Sequence, residues 1–170
     1  SRRWDGGDTP TVLASGKRTD YFEVSPGPAR GFSAVRRGGT RMKRTADILL
    51  APTESLSATR PFLASATANE YAPQVSPSGR LLAYTSNETG DDEVYVTTMP
   101  DQGPRAKVSV AGGTEPRWAP DGTTLYYRSL THMMTATVVA QPTLLVTHRD
   151  SLFPDRAYRR YKQHAAYDVF

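Results

Sequence analysis

The stretch from Gln74 to Asn87, Gln-Val-Ser-Pro-Ser-Gly followed by Arg-Leu-Leu-Ala-Tyr-Thr-Ser-Asn, returns 43 residues later as Arg117 to Ser129. A unit that repeats at this distance limits the fold more than any other feature of the chain. In both copies a proline sets the φ angle that starts a turn, a small polar residue follows, and a glycine takes the position where φ turns positive. Ser76, Pro77 and Gly79 in one copy, and Pro120, Asp121 and Gly122 in the other, therefore mark tight reversals between two strands. Leu82 matches Leu125 and Tyr84 matches Tyr127, a spacing of two that puts both pairs on one face of a strand.

More strands follow each hairpin. Glu93 to Thr97 is rich in β-branched and aromatic residues and reads as a third strand, and Ala106 to Val110 reads as a fourth, ending at Gly112-Gly113. Two worn copies flank the clear ones: Phe22 to Pro26 opens one and Ala166 to Phe170 opens another. Aligned on Val24, Val75, Trp118 and Val169, the copies are 51, 43 and 51 residues apart. Four short antiparallel strands repeated every ~40–50 residues are the mark of β-propeller blades, because a single such sheet cannot cover both of its faces and must stack on the next. The competing arrangement, unrelated hairpins in a sandwich, leaves the repeat unexplained.

The expected fold class is thus all-β, a partial β-propeller of four-stranded antiparallel blades forming a single unit over 1–170. Residues 1–17 read as the end of a preceding blade, with Arg2-Arg3-Trp4 and Thr11 to Ala14 as its last strands. A degenerate blade follows at 18–66, then fuller blades at 67–112 and 113–154. Residues 155–170 read as a connection, with a helical turn or two between Ala157 and Ala166, and the opening strand of a further blade. Closed rings take about four to eight blades. The expectation is therefore a piece of a longer polypeptide, or a ring completed by other material, since an open arc leaves strand edges unpaired.

Composition agrees with strands and turns. Gly and Pro supply 26 of 170 residues and the hydrophobic share is 38%. No apolar run nears the ~18 residues that span a bilayer, no charged-then-apolar leader opens the chain, and the segment itself is expected to be soluble. Without cysteine, disulfides and thiolate metal sites are excluded. The net charge of +4 is divided: +6 over 1–44, −5 over 45–127 and +3 over 128–170. An acidic stretch between basic ends is a poor match for a continuous phosphate-binding stripe, so nucleic acid is not an expected partner.

At the turns and the strand Asp92-Glu93-Val94-Tyr95-Val96, the chain resembles the WD40-like repeats of TolB-type propellers. Gly112 to Trp118 and Leu125 to Ser129 make it most similar to the C-terminal propellers of bacterial transmembrane serine/threonine protein kinases. The resemblance covers about 70–170 and weakens before it: Ser25 to Gly31 carries extra turn residues, and the Met133 to Ala136 strand lacks the usual acid. It implies an extracytoplasmic location, membrane anchoring in the full-length protein, and a sensor or interaction role. The kinase's own phosphate loop, catalytic loop and Asp-Phe-Gly motif do not occur in these residues.

Catalytic chemistry finds little support. There is no Gly-x-Ser-x-Gly elbow, and Ser76, in a turn before proline, is placed to brace backbone amides rather than to attack a carbonyl. His132, His148 and His164 lie 16 residues apart, too far for the short ligand pairs of zinc sites. Asp91-Asp92-Glu93 lacks the alternating ligand spacing of a calcium loop and reads as a solvated loop end. The run Arg156 to Lys162, basic and aromatic, reads as a polar connection sooner than as a surface for bases or lipid headgroups. No cofactor is expected.

The repeat supplies a sharper candidate. The position before each aligned Val or Trp reads Glu23, Gln74, Arg117 and Asp168, and stacked blades would gather these four around the mouth of the axial channel. An inter-blade polar network that fixes packing is the first reading and a ligand site the second. The expected function is non-enzymatic recognition of a protein, peptide or small ligand, with the rest of its own propeller as a further partner. The alternatives are a propeller that gates a prolyl-oligopeptidase-type serine peptidase, or a free TolB-like periplasmic scaffold.

Overall fold

A computed structural model describes residues 21–28, 31–38, 45–55, 58–156 and 167–169. The described residues form three four-stranded antiparallel sheets and contain no helix. The first comprises β1 (Tyr21–Ser25), β2 (Phe32–Arg37), β3 (Asp47–Pro52) and β4 (Arg60–Leu63). The second holds β5 (Glu70–Val75), β6 (Leu81–Ser86), β7 (Glu93–Thr98) and β8 (Arg105–Lys107). In the third are β9 (Thr114–Trp118), β10 (Thr124–Arg128), β11 (His132–Val139) and β12 (Leu145–Pro154). Strand order within each sheet follows chain order, as in a meander. These are the blades of a partial propeller, and their first strands meet on the inner side, β1 against β5 and β5 against β9.

Alternation along the strands explains why the blades stack. On β6, Leu82 and Tyr84 face the first blade, where they join Ala34, Ile48 and Leu50, while Leu81 and Ala83 face the third. On β7, Val94 and Val96 face the third blade, packing with Leu125, Tyr127, Ala136 and Val138, and Tyr95 turns to the first. The middle blade thus has two apolar faces and buries both. Each large side chain so covered contributes about 1.5–3 kcal/mol, and a one-residue slip of β6 would swap both sets. Tyr84 and Tyr95 stack with centroids 5.8 Å apart inside the first of these two seams.

The repeated turns are built alike by different chemistry. Gly79 and Gly122 have φ of +71° and +70°, the left-handed conformation that a side chain disfavours. Ser76 Oγ accepts the Leu81 amide at 3.1 Å, and the Gly79 amide bonds Ser76 O at 2.8 Å. In the other copy the carboxylate of Asp121 accepts the amides of Thr123 and Thr124 at 2.7 and 2.8 Å, which holds it below the usual carboxylate range.

Two expected strands differ from what is observed. The fourth strand of the middle blade is Arg105–Lys107 rather than Ala106 to Val110. Beyond Lys107 the amides of Val108 and Ser109 both turn to the carbonyl of Val94, which ends the regular ladder. Residues 167–169, expected within an opening strand, carry no strand pairing. They lie beside β9 all the same, the Tyr167 hydroxyl donating to Glu115 O at 2.6 Å. The expected blade end at 1–17 and the connection at 157–166 lie outside the described residues.

Candidate functional site

Each first strand is interrupted by a bulge. Pairing shifts between Tyr21 and Glu23 in β1, between Tyr71 and Gln74 in β5, and opposite Tyr126 to Arg128 in β9. In β5 and β9 the cause is legible: Ala72-Pro73 and Glu115-Pro116 place a proline, without an amide proton, where the ladder would need one. The residues before these prolines, Ala72 and Glu115, adopt φ of +49° and +56°, a conformation that costs of order 1–3 kcal/mol outside glycine. The bulge re-aims the last residues of the strand, and those are Glu23, Gln74 and Arg117.

The structure brings these three and Asp168 to one end of the inner strands. Arg117 Nη1 donates to Gln74 Oε1 at 3.0 Å, across the seam between second and third blades. The Trp118 indole donates to the carbonyl of Gln74 at 3.1 Å, and the Val75 amide donates to Ser25 Oγ at 2.9 Å across the other seam. Gln74, Arg117 and Asp168 line a cavity of about 280 Å³, walled by Pro28, Pro77 and Trp118. Glu23 joins them electrically. Burial pushes its carboxyl up to about 7, opposed by the charges of Arg36 and Arg117 and by the amide of Ala72.

Two buried polar atoms here lack a hydrogen-bond partner among the described residues, Glu23 Oε2 and Arg117 Nε. A buried orphan of either kind costs about 1–3 kcal/mol, so the site has unused capacity for one donor and one acceptor. Ser76 and Pro77 border the cavity through the turn, whereas Pro120, Asp121 and Gly122 serve the turn of the third blade and do not line it.

A second polar group escaped sequence reasoning. Arg128 Nε meets Asp155 Oδ2 at 2.8 Å and its Nη1 meets Glu115 Oε2 at 3.5 Å, with all three side chains 3% exposed or less. In the other blades an acid opens the third strand: Asp47 pairs with Arg37, and Glu93 with Lys107 and Ser109. Hydrogen bonds from Lys107, Ser109 and the Gly112 amide outweigh burial and hold Glu93 below the usual carboxylate range. The third blade, which lacks an acid there, draws Asp155 from beyond its last strand instead. No spacing in the sequence announces that exchange.

Metal chemistry finds no assembled ligand set among the described residues. Of the acidic run, Glu93 is held as above, while Asp91 and Asp92 are exposed. His132 Nδ1 lies 2.8 Å from Thr131 Oγ1, His148 pairs with Asp150 on the exposed outer strand, and His164 lies outside the described residues.

No sequence family and no curated protein sequence matches the chain. Solved structures do. The chain is similar to the β-propeller domain of the Trilobed protease from Pyrococcus furiosus, a domain reported to have an open velcro topology, with a TM-score of 0.56 and 15% identity over 80% of this chain and 43% of that one. It is also similar to the β-propeller domain of Cps50 (Swd1) from Myceliophteria thermophila, with a TM-score of 0.54 and 12% identity over 79% of this chain and 46% of that one. The chain spans less than half the length of either, and at such identity the likeness establishes the fold: a portion of a β-propeller.

Proposed function

We propose that the chain is a non-enzymatic recognition segment of a propeller, and that the axial mouth formed by Glu23, Gln74, Arg117 and Asp168 receives a polar group of a protein, peptide or small ligand. The observation that carries this is the unsatisfied buried Arg117 Nε, on a residue that lines a cavity large enough for a side chain or a small acid amide, with the unsatisfied Glu23 Oε2 at the same place in the first blade. The resemblance of 70–170 to the propellers of bacterial transmembrane serine/threonine kinases supports an extracytoplasmic sensor setting for this recognition.

A second reading has its own support. One structural neighbour is the propeller of a protease, and a gating propeller would use the same axial mouth as a passage. The reading frame around this chain separates the settings: a kinase domain and membrane helix upstream favour the sensor, an α/β-hydrolase domain downstream favours the gate. Recognition itself is tested by a thermal-shift screen of capped dipeptides and small carboxylic amides. Compounds that raise the melting temperature of the wild type should lose that effect in Arg117→Ala. An unchanged hit list in the variant contradicts the proposal.

A further inference from the structure

The repeat allows the same place in two seams to be compared at the end remote from the axial mouth. At the first seam, Asn69 clasps the blades and Asn87 braces it: Asn69 Oδ1 accepts the Ala46 amide at 3.0 Å across the seam, and the backbone amide of Asn69 donates to Asn87 Oδ1 at 2.8 Å within the second blade. The Glu70 amide then bonds Ala46 O at 3.1 Å. The residues 43 further on are Gly112, Leu130 and Gly113. The last bond is kept, Gly113 to Asp92 O at 2.8 Å, but the clasp is gone. Gly112 has no side chain, its amide turns to Glu93, and Leu130 is an apolar side chain 73% exposed.

A cavity of about 630 Å³ stands where the clasp would be. Leu130 lies over Gly112, so that a Cβ there would meet Leu130 Cγ at 3.2 Å. Val110, 71% exposed, lines the same opening from the second blade. Its nearby cations are committed, Lys107 to Glu93 and Arg128 to Glu115 and Asp155. Asp91 and Asp92, both exposed, thus give the rim its charge. Both walls belong to blades whose residues, 67–154, are all described.

The geometry points to a docking groove for a basic, apolar polypeptide segment: aliphatic side chains on Val110 and Leu130, with an arginine or lysine between them reaching Asp91 and Asp92. An exposed leucine where the preceding copy holds a hydrogen-bonded asparagine is a departure that packing does not require, and clustered exposed apolar side chains mark interaction sites. The acidic rim selects the sign of the partner and makes its binding salt-dependent. This groove is separate from the axial mouth.

The test is fluorescence anisotropy of a short, capped peptide alternating arginine with leucine, against one with glutamate for arginine and one with serine for leucine. The first should bind, weakening as salt is raised, and the other two should not. Leu130→Asn, which restores the residue of the preceding copy, and the double change Asp91→Asn with Asp92→Asn should each raise Kd by about tenfold or more. Both sites are exposed, and unchanged melting temperatures will show that the variants fold. Arg117→Ala should leave this binding intact. Equal binding of the glutamate peptide, or wild-type affinity in both variants, overturns the inference. So does absence of peptide binding together with a change of sedimentation on Leu130→Asn, which would assign the groove to a second copy of the chain.

Discussion

The two seams are made from one repeated sequence and share their interiors, yet they close differently at the end away from the axial mouth. Leu82 and Tyr84 in the first and Leu125 and Tyr127 in the second are interchangeable by position and all but fully buried. Around these cores the polar groups diverge. The first seam is fastened by Asn69 and Asn87, and its blade pairs Asp47 with a half-exposed Arg37. The second gives up the clasp, opens a cavity, and has beside it the buried group of Arg128, Glu115 and Asp155. The Leu and Tyr pairs keep their places in both cores, whereas the polar rim changes, and the rim is where recognition can be added at little cost to the fold.

That contrast is sharpest in its charges. Arg128→Ala removes the cation from between two buried carboxylates and should lose about 3–5 kcal/mol of stability in urea unfolding, while Arg37→Ala, at a pair open to solvent on one side, should lose at most about 1 kcal/mol. Equal losses would break the distinction between the two ion groups. The clasp comes next. Asn69→Ala leaves the Ala46 amide without its partner, while the backbone bond from Asn69 to Asn87 Oδ1 survives, and should cost about 1–3 kcal/mol, whereas Leu130→Asn should change stability by less than about 0.5 kcal/mol. A large loss from the second variant would mean that Leu130 holds the seam.

The remaining effect expected is one of pH. Burial lifts the Glu23 carboxyl to about 7, above its ordinary value of 4.5, so the folded state holds its proton more tightly than the unfolded chain. The stability this contributes is complete below about pH 4.5 and is lost as pH rises through about 7. Glu23→Gln should remove that slope. Its melting temperature should therefore gain on the wild type between about pH 5 and pH 8, and parallel curves would show that Glu23 titrates normally.

Strands and turns were legible because they depend on local chemistry. Pro77 and Gly79, or Pro120 and Gly122, can do little but reverse the chain, and the paired Leu and Tyr positions define a face. The contact between Gln74 and Arg117 follows for a related reason: residues at one position of a repeat share one place in space, and these two bond. The bulges were missed although Ala72-Pro73 and Glu115-Pro116 signal them, since a proline inside a strand must break its ladder. The Arg128 group could not be read at all. It joins residues 27 and 13 positions apart that occupy different places in the repeat, and only the folded blade brings them together. The shortened β8 has a plain cause as well: Val108 and Ser109 suit a strand, but the carbonyl of Val94 takes both of their amides.

The claim on which the rest depends is that consecutive copies stand side by side about an axis and present Gln74 and Arg117 to each other. A double-mutant cycle over Gln74→Ala and Arg117→Ala, read by urea unfolding, tests it most directly. Partners in one network should show a coupling of about 0.5–3 kcal/mol. Losses that add to within about 0.3 kcal/mol would mean that these residues, 43 apart in the chain, do not meet, and the blades would not be stacked as described.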